Sequence, residues 1–211
     1  MTKPSHAELE RLLREIRSCR VCAAHLALGP RPVLRARTSA RLLIVGQAPG
    51  TRVHETGIPW NDRSGERLRA WLSVSSDQFY DESEIAIVPI GFCYPGRDAK
   101  GGDRPPRPEC APLWHARIRQ HLKDIALTLL VGRYAQLHYL KERAAPTLTE
   151  TVRNWRRYGP EIIPMPHPSW RTQGWTKRNP WFEEELLPAL RERVAVVLAG
   201  APPRAEGRKT A

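Results

Sequence analysis

Four short apolar runs mark the chain, at residues 42–45, 85–90, 127–131 and 162–165. The first three are almost continuously apolar, as strands covered on both faces of a parallel sheet must be. Helical spacing fills the intervals, at 64–72, 108–122, 133–143 and a further stretch at 147–157. Ahead of them, Leu9, Leu12, Leu13 and Ile16 share one side of a short amphipathic helix within 7–18. A closing helix over 183–198 has Leu186, Leu187, Leu190, Val194, Val197 and Leu198 on its apolar side. Strands alternating with helices predict a three-layer α/β/α domain around a central, four-stranded, mainly parallel sheet. The Pro- and Arg-rich stretch 26–40 reads as a surface loop.

One domain over residues 1–200 accounts for every apolar face. A chain of 211 residues is short for two independent cores. The remainder, 201–211, has no apolar face and is expected to be a disordered basic tail.

Charge narrows the partners. Lys and Arg total 34 against 22 Asp and Glu, a formal +12. Such an excess favours a polyanion or an anionic surface, although a solvated basic surface also satisfies it. No apolar stretch reaches the roughly 18 residues of a membrane span, and the first residues lack the apolar core of a secretory signal. A cytoplasmic protein is expected. In a reducing compartment the four cysteines are better read as ligands than as disulfides.

Three segments can do chemistry. The first, Leu42 to Gly50, passes from a buried strand into a turn of Gly46, Pro49 and Gly50. It lies where open α/β sheets bind ligands, but it lacks the P-loop lysine and the G-x-G-x-x-G pattern, so a nucleotide-phosphate site is not expected. In the second, Pro166 and Pro168 bracket His167 beyond the last apolar run and hold it on a stiff strand-end loop. Trp170, Arg171, Trp175, Lys177 and Arg178 come next, and aromatics interleaved with cations suit base stacking and phosphate contact. Trp181 and Phe182 are expected to pack back onto the domain. The third is the set Cys19, Cys22, Cys93 and Cys110. Two cysteines at C-x-x-C spacing and two flanking one loop point to a four-thiolate site, and spacing does not separate zinc from iron.

Taken in order, these pieces resemble the iron–sulfur uracil-DNA glycosylases first known from thermophiles. That family has an early C-x-x-C, a G-E-A-P-G turn, a G-R-P-F segment, a Cys with a Pro-rich loop ending in Glu-Cys, and a late H-P-S. Here the counterparts are Cys19–Cys22, Gly46-Gln-Ala-Pro-Gly50, Gly57-Ile-Pro-Trp60, Cys93 through Glu109-Cys110, and His167-Pro-Ser169. The resemblance implies a [4Fe–4S] cluster on the four cysteines and hydrolysis of the N-glycosidic bond of uracil in DNA, with the nucleotide flipped into a pocket. It implies action on DNA that contains deaminated bases; a monomer is expected. His167 would donate a hydrogen bond to the departing base, and Trp60 would stack on it. Gln47, Ala48 and Gly50 would present backbone and amide groups to base and water. Ser169, Trp170 and Arg171, with Lys177 and Arg178, would hold the DNA.

Two departures alter that picture. Gln47 stands where the family has Glu, so a carboxylate for the water is sought elsewhere; Asp62 is the first candidate, ahead of His54 and Glu55, with helix capping as its alternative role. Pro89 stands where the family reads uracil with Asn, so Asn61 or another group reads the base, or the pocket admits hypoxanthine or xanthine. The rival reading is a non-catalytic nucleic-acid-binding module with a structural four-cysteine zinc site. No G-x-S-x-G elbow supports an ordinary hydrolase.

Overall fold

Side chains alternating along one strand set the layers. In β1 (Leu42–Val45), Leu42 and Ile44 enter one apolar cluster while Leu43 and Val45 enter another, the division a period of two produces. The computed structural model, which describes residues 5–99 and 101–200, repeats it along the sheet. Ile85 and Ile87 of β2 (Ile85–Ile87) and Leu129 and Val131 of β3 (Leu127–Val131) join the cluster of Leu42 and Ile44; Ala86 and Leu130 join that of Leu43 and Val45. With β4 (Ile162–Met165) the order is β2-β1-β3-β4, and every pair is parallel.

One face is covered by α1 (His6–Arg17), α5 (Cys110–His121) and α6 (Arg133–Leu140). Ser5 and Glu8 start α1 with a reciprocal capping box, and its four buried residues are the predicted Leu9, Leu12, Leu13 and Ile16. The other face is covered by α3 (Arg63–Leu72), α7 (Leu148–Arg153) and α9 (Leu187–Ala199). This is the expected three-layer α/β domain. No helix among the described residues is long and apolar enough to cross a membrane.

The differences from the sequence reading lie at ends and in short elements. β2 stops at Ile87 and not at 90, since Pro89 has no N–H for a ladder. The helix expected from 108 starts at Cys110. Those expected over 133–143 and 147–157 each tighten into a 3₁₀ turn, at Lys141–Arg143 and Trp155–Tyr158. The closing helix is entered through a π-helical turn, Phe182–Leu186. Among the described residues, three short α-helices have no counterpart in the sequence reading: α2 (Thr51–Thr56), α4 (Ser76–Phe79) and α8 (Thr172–Arg178). The expected basic tail, 201–211, lies outside the described residues.

Candidate active site

The chain leaves β1 for β2 on one side, and β3 lies on the other. At such a reversal the loops part and leave a crevice at the carboxyl ends of the strands. There the structure has a cleft with about 1020 Å³ of empty space. The 46–50 turn lines it after β1, Pro89 after β2, and His167 with Ser169, Trp170 and Arg171 after β4. Val33, Val53, Pro59 and Ile87 supply apolar wall, while Gln47, Asp62, Ser64, Asp103 and His167 supply polar groups.

His167 is fixed by its own loop. Its carbonyl accepts from the Ser169 N–H at 2.8 Å and from the Thr172 hydroxyl. Arg67 of α3 donates to the Ser169 carbonyl at 2.7 Å and ties the segment to the body. Burial pushes the imidazole below its usual range, against the opposing pull of Asp62. A neutral ring, able to donate one N–H, therefore faces the cleft at neutral pH.

Trp60 leans over that ring, with centroids 5.3 Å apart and planes tilted by 32°. Its backbone is left-handed, at φ 56°, which is uncommon for a bulky residue and marks strain held by the surroundings. Two glycines admit it. A Cβ on Gly65 would lie 1.7 Å from the Trp60 carbonyl oxygen, and one on Gly46 would lie 2.9 Å from the indole. Asp62 follows as the N-cap of α3, its Oδ1 accepting from Gly65 N–H at 2.8 Å. The capping role is thus real, and Asp62 lines the cleft as well.

A comparison with protein families matches residues 35–191 to the uracil-DNA glycosylase superfamily. The chain belongs to that superfamily. Its general chemistry, cleavage of an N-glycosidic bond in DNA, is that of a DNA glycosylase. Within this glycosylase the cleft gathers Gln47, Ala48, Gly50, Trp60, Asp62, His167, Ser169, Trp170 and Arg171 from the sequence reading. Asn61, Lys177 and Arg178 do not line it; the last two are exposed on α8. Trp170 is 72% exposed at the rim, with the Arg171 guanidinium 5.3 Å from its ring centre. Trp175, Trp181 and Phe182 pack edge to face against one another beside the core. The expectation that Trp181 and Phe182 pack back holds, and Trp175 joins them.

Three polar residues of the glycosylase cleft, Ser64, Arg97 and Asp103, escaped the sequence reading. Asp103 sits at the end of a tight turn in which Arg97 and Asp103 form an antiparallel bridge. The only sequence signal was an Asp after Gly101-Gly102, between two candidate ligands.

Cys19, Cys22, Cys93 and Cys110 line a second, apolar hollow with Leu26, Phe92 and Trp114. All four are free of disulfides. The Phe92 N–H points at Cys110 Sγ, 3.4 Å away. Burial pushes the Cys110 thiol up to about 12 and Cys93 up to about 11, the neighbouring thiols adding to the shift. Among the described residues no three His, Cys, Asp or Glu side chains close to the spacing of a single ion; a cluster with one iron per thiolate does not require it.

The hollow and the cleft share a wall. His115 of α5 has Nε2 3.0 Å from the Pro89 carbonyl and Nδ1 3.0 Å from the Tyr139 hydroxyl. Since a carbonyl only accepts, Nε2 carries the proton and Nδ1 accepts from tyrosine. Burial lowers His115 to about 4, so this brace stays neutral. The floor of the cleft is thereby pinned to the helix that begins with Cys110.

Proposed function

We propose that the protein excises uracil from DNA by hydrolysis, flipping the nucleotide into the cleft and leaving an abasic site. The observation that best supports this is His167, a half-buried neutral imidazole facing the cleft with Trp60 and Asp62 beside it. As the glycosidic bond breaks, negative charge grows on the base and positive charge on the sugar. An imidazole N–H stabilises the first without transferring a proton, and a carboxylate such as Asp62 stabilises the second. Trp60 supplies an aromatic face for the extruded base, and Ser169, Trp170 and Arg171 at the rim meet the DNA. Lys177 and Arg178 add charge for the phosphates. We read it as a monomer acting in the cytoplasm.

The test is base release from single- and double-stranded oligonucleotides containing uracil, hypoxanthine or xanthine, with alkaline cleavage at abasic sites as the readout. Release of uracil in the presence of chelator and without added metal is expected, because the cleft chemistry rests on hydrogen bonds and charge. No release from any of these substrates, or release only with added magnesium, removes the proposal. Pro89 favours a second reading of the base range: it offers the cleft neither an N–H nor a polar side chain, so hypoxanthine or xanthine release accompanies that of uracil.

The four cysteines fit a [4Fe–4S] cluster: four thiols, an apolar surround, and a backbone N–H aimed at one sulfur. When bound it supplies structure, tying the segment before β1 to the loop before α5. Purified protein is expected to be brown, with broad visible absorbance, whereas colourless zinc-loaded protein supports the binding-module reading. Cys110→Ser is expected to lower folding yield and melting temperature, since ligand binding energy is folding energy in such sites. A colourless variant with wild-type yield and melting temperature contradicts the structural role.

A further inference from the structure

We propose that Asp103 is the group that accepts the proton of the hydrolytic water, and that Gln47 acts as the clamp that brings it there. The inference rests on the glycosylase reading above and assigns within it a residue that neither the motifs nor the sequence pattern marks.

Gln47 spans the cleft. Its side-chain Nε2 donates to the Arg104 carbonyl at 3.2 Å, and so holds the residue next to Asp103. The turn it holds is closed by its own backbone: Asp98 N–H to Gly102 O at 2.8 Å, and Arg104 N–H to Gly96 O at 2.9 Å. Asp98 Oδ1 accepts from Gly102 N–H at 2.9 Å. Asp103 thus leaves a fixed frame, and its Oδ2 comes within 3.8 Å of the Cβ position of Gly50, in the turn after β1.

The charged groups that face Asp103 are Arg97, Asp98, Asp62 and Arg171. Burial raises the carboxyl above the usual carboxylate range, Asp62 and Asp98 add to the rise, and Arg97 and Arg171 oppose it. A carboxylate of raised basicity is the better proton acceptor. Asp62, held through Oδ1 at the start of α3, is the fixed negative charge beside the sugar. The step balances. Water oxygen bonds to the anomeric carbon as the carbon–nitrogen bond breaks. The bond pair leaves with the base, which His167 stabilises as an anion, and the water proton passes to Asp103.

The experiment is single-turnover uracil release against pH for wild type, Asp103→Asn, Asp62→Asn and Gln47→Ala, with melting temperatures alongside. Asp103→Asn is expected to lower the rate by roughly a hundred- to ten thousandfold, to abolish the acid limb, and to leave the melting temperature unchanged. Asp62→Asn keeps the acid limb but moves it to lower pH, since a repelling charge has gone. Gln47→Ala slows the reaction and moves the limb the same way, because a released Asp103 returns to water; a merely structural role for Gln47 leaves the limb in place. Wild-type release with Asp103→Asn unchanged overturns the inference alone, as does an acid limb that Asp62→Asn abolishes and Asp103→Asn leaves in place. No release by the wild type overturns the glycosylase reading and this inference with it.

Discussion

Replacing His167 with alanine is expected to slow single-turnover uracil release by roughly a hundred- to a thousandfold, about 2.7–4 kcal/mol, while DNA affinity stays near that of wild type. The reason is where the charge appears. In the bound ground state the base is neutral, and a neutral imidazole gains little from it. Once the base departs as an anion, an oriented N–H is worth far more. Burial keeps His167 neutral, so the ring carries no charge penalty while waiting and is ready over the ordinary pH range. His167→Asn, which keeps an N–H donor, should recover part of the loss. Single-turnover rates and equilibrium binding on one uracil duplex separate the effects. An alanine variant with full rate, or one that loses affinity in place of rate, shows that His167 does not act on the leaving base.

The strands were legible because burial on both faces writes itself as a continuous apolar run, and three of the four have the expected bounds. Helices α2, α4 and α8 were not, since four to seven residues give too little periodicity to detect. His167 was legible for a local reason: prolines on both sides restrict the backbone whatever the rest of the chain does. Asp103 depends on tertiary contact. The turn that bears it is held to the cleft by the bond from Gln47 to Arg104, 57 positions apart in the chain. Asp62 shows why one residue can support two readings at once. As an N-cap it satisfies an orphan N–H of α3, and the same geometry presents the carboxyl group to the cleft.

The hollow of cysteines and the cleft are also mechanically joined, a relation that spacing along the chain cannot display. Gly91 passes between them with no room for a side chain, since a Cβ there would lie 2.9 Å from Pro106 and 3.6 Å from Ala48. On the hollow side Phe92 lies nearly parallel to His115, 5.7 Å between centroids, and His115 holds Pro89. Arg31 adds a second link. Its guanidinium donates to the carbonyls of His54 and Glu55 at the end of α2, and its backbone N–H points at Cys93. Whatever orders the four thiols thus also orders the floor and one wall of the cleft, so loss of the proposed cluster would disturb the proposed catalysis through position without any part in the reaction.

Gly65→Ala is expected to be the most damaging glycine-to-alanine change among the described residues. Elsewhere in a helix this substitution raises helix propensity by up to about 1 kcal/mol. Here the added Cβ would sit 1.7 Å from the Trp60 carbonyl oxygen, and also 2.9 Å from the Trp60 Cβ. The obstacle is backbone and cannot rotate away, so either α3 or the left-handed Trp60 must move. Overpacking of a fixed neighbour costs about 1–3 kcal/mol and more where backbone is displaced. The melting temperature should then fall by roughly 5–10 °C for a domain of this size. Function falls with it, for the Gly65 N–H is the partner of Asp62 and Trp60 leans on His167. Serine at 65 should behave like alanine, because the clash belongs to the Cβ and not to the hydroxyl it carries. As a contrast, Gly159→Ala meets no atom within 4 Å, although its φ of 81° makes it a strain control. Thermal melts and uracil release measured on both variants decide the matter. A Gly65→Ala protein that melts at or above the wild-type temperature and keeps full activity would mean that Trp60 does not hold the left-handed conformation on which this geometry of the site depends.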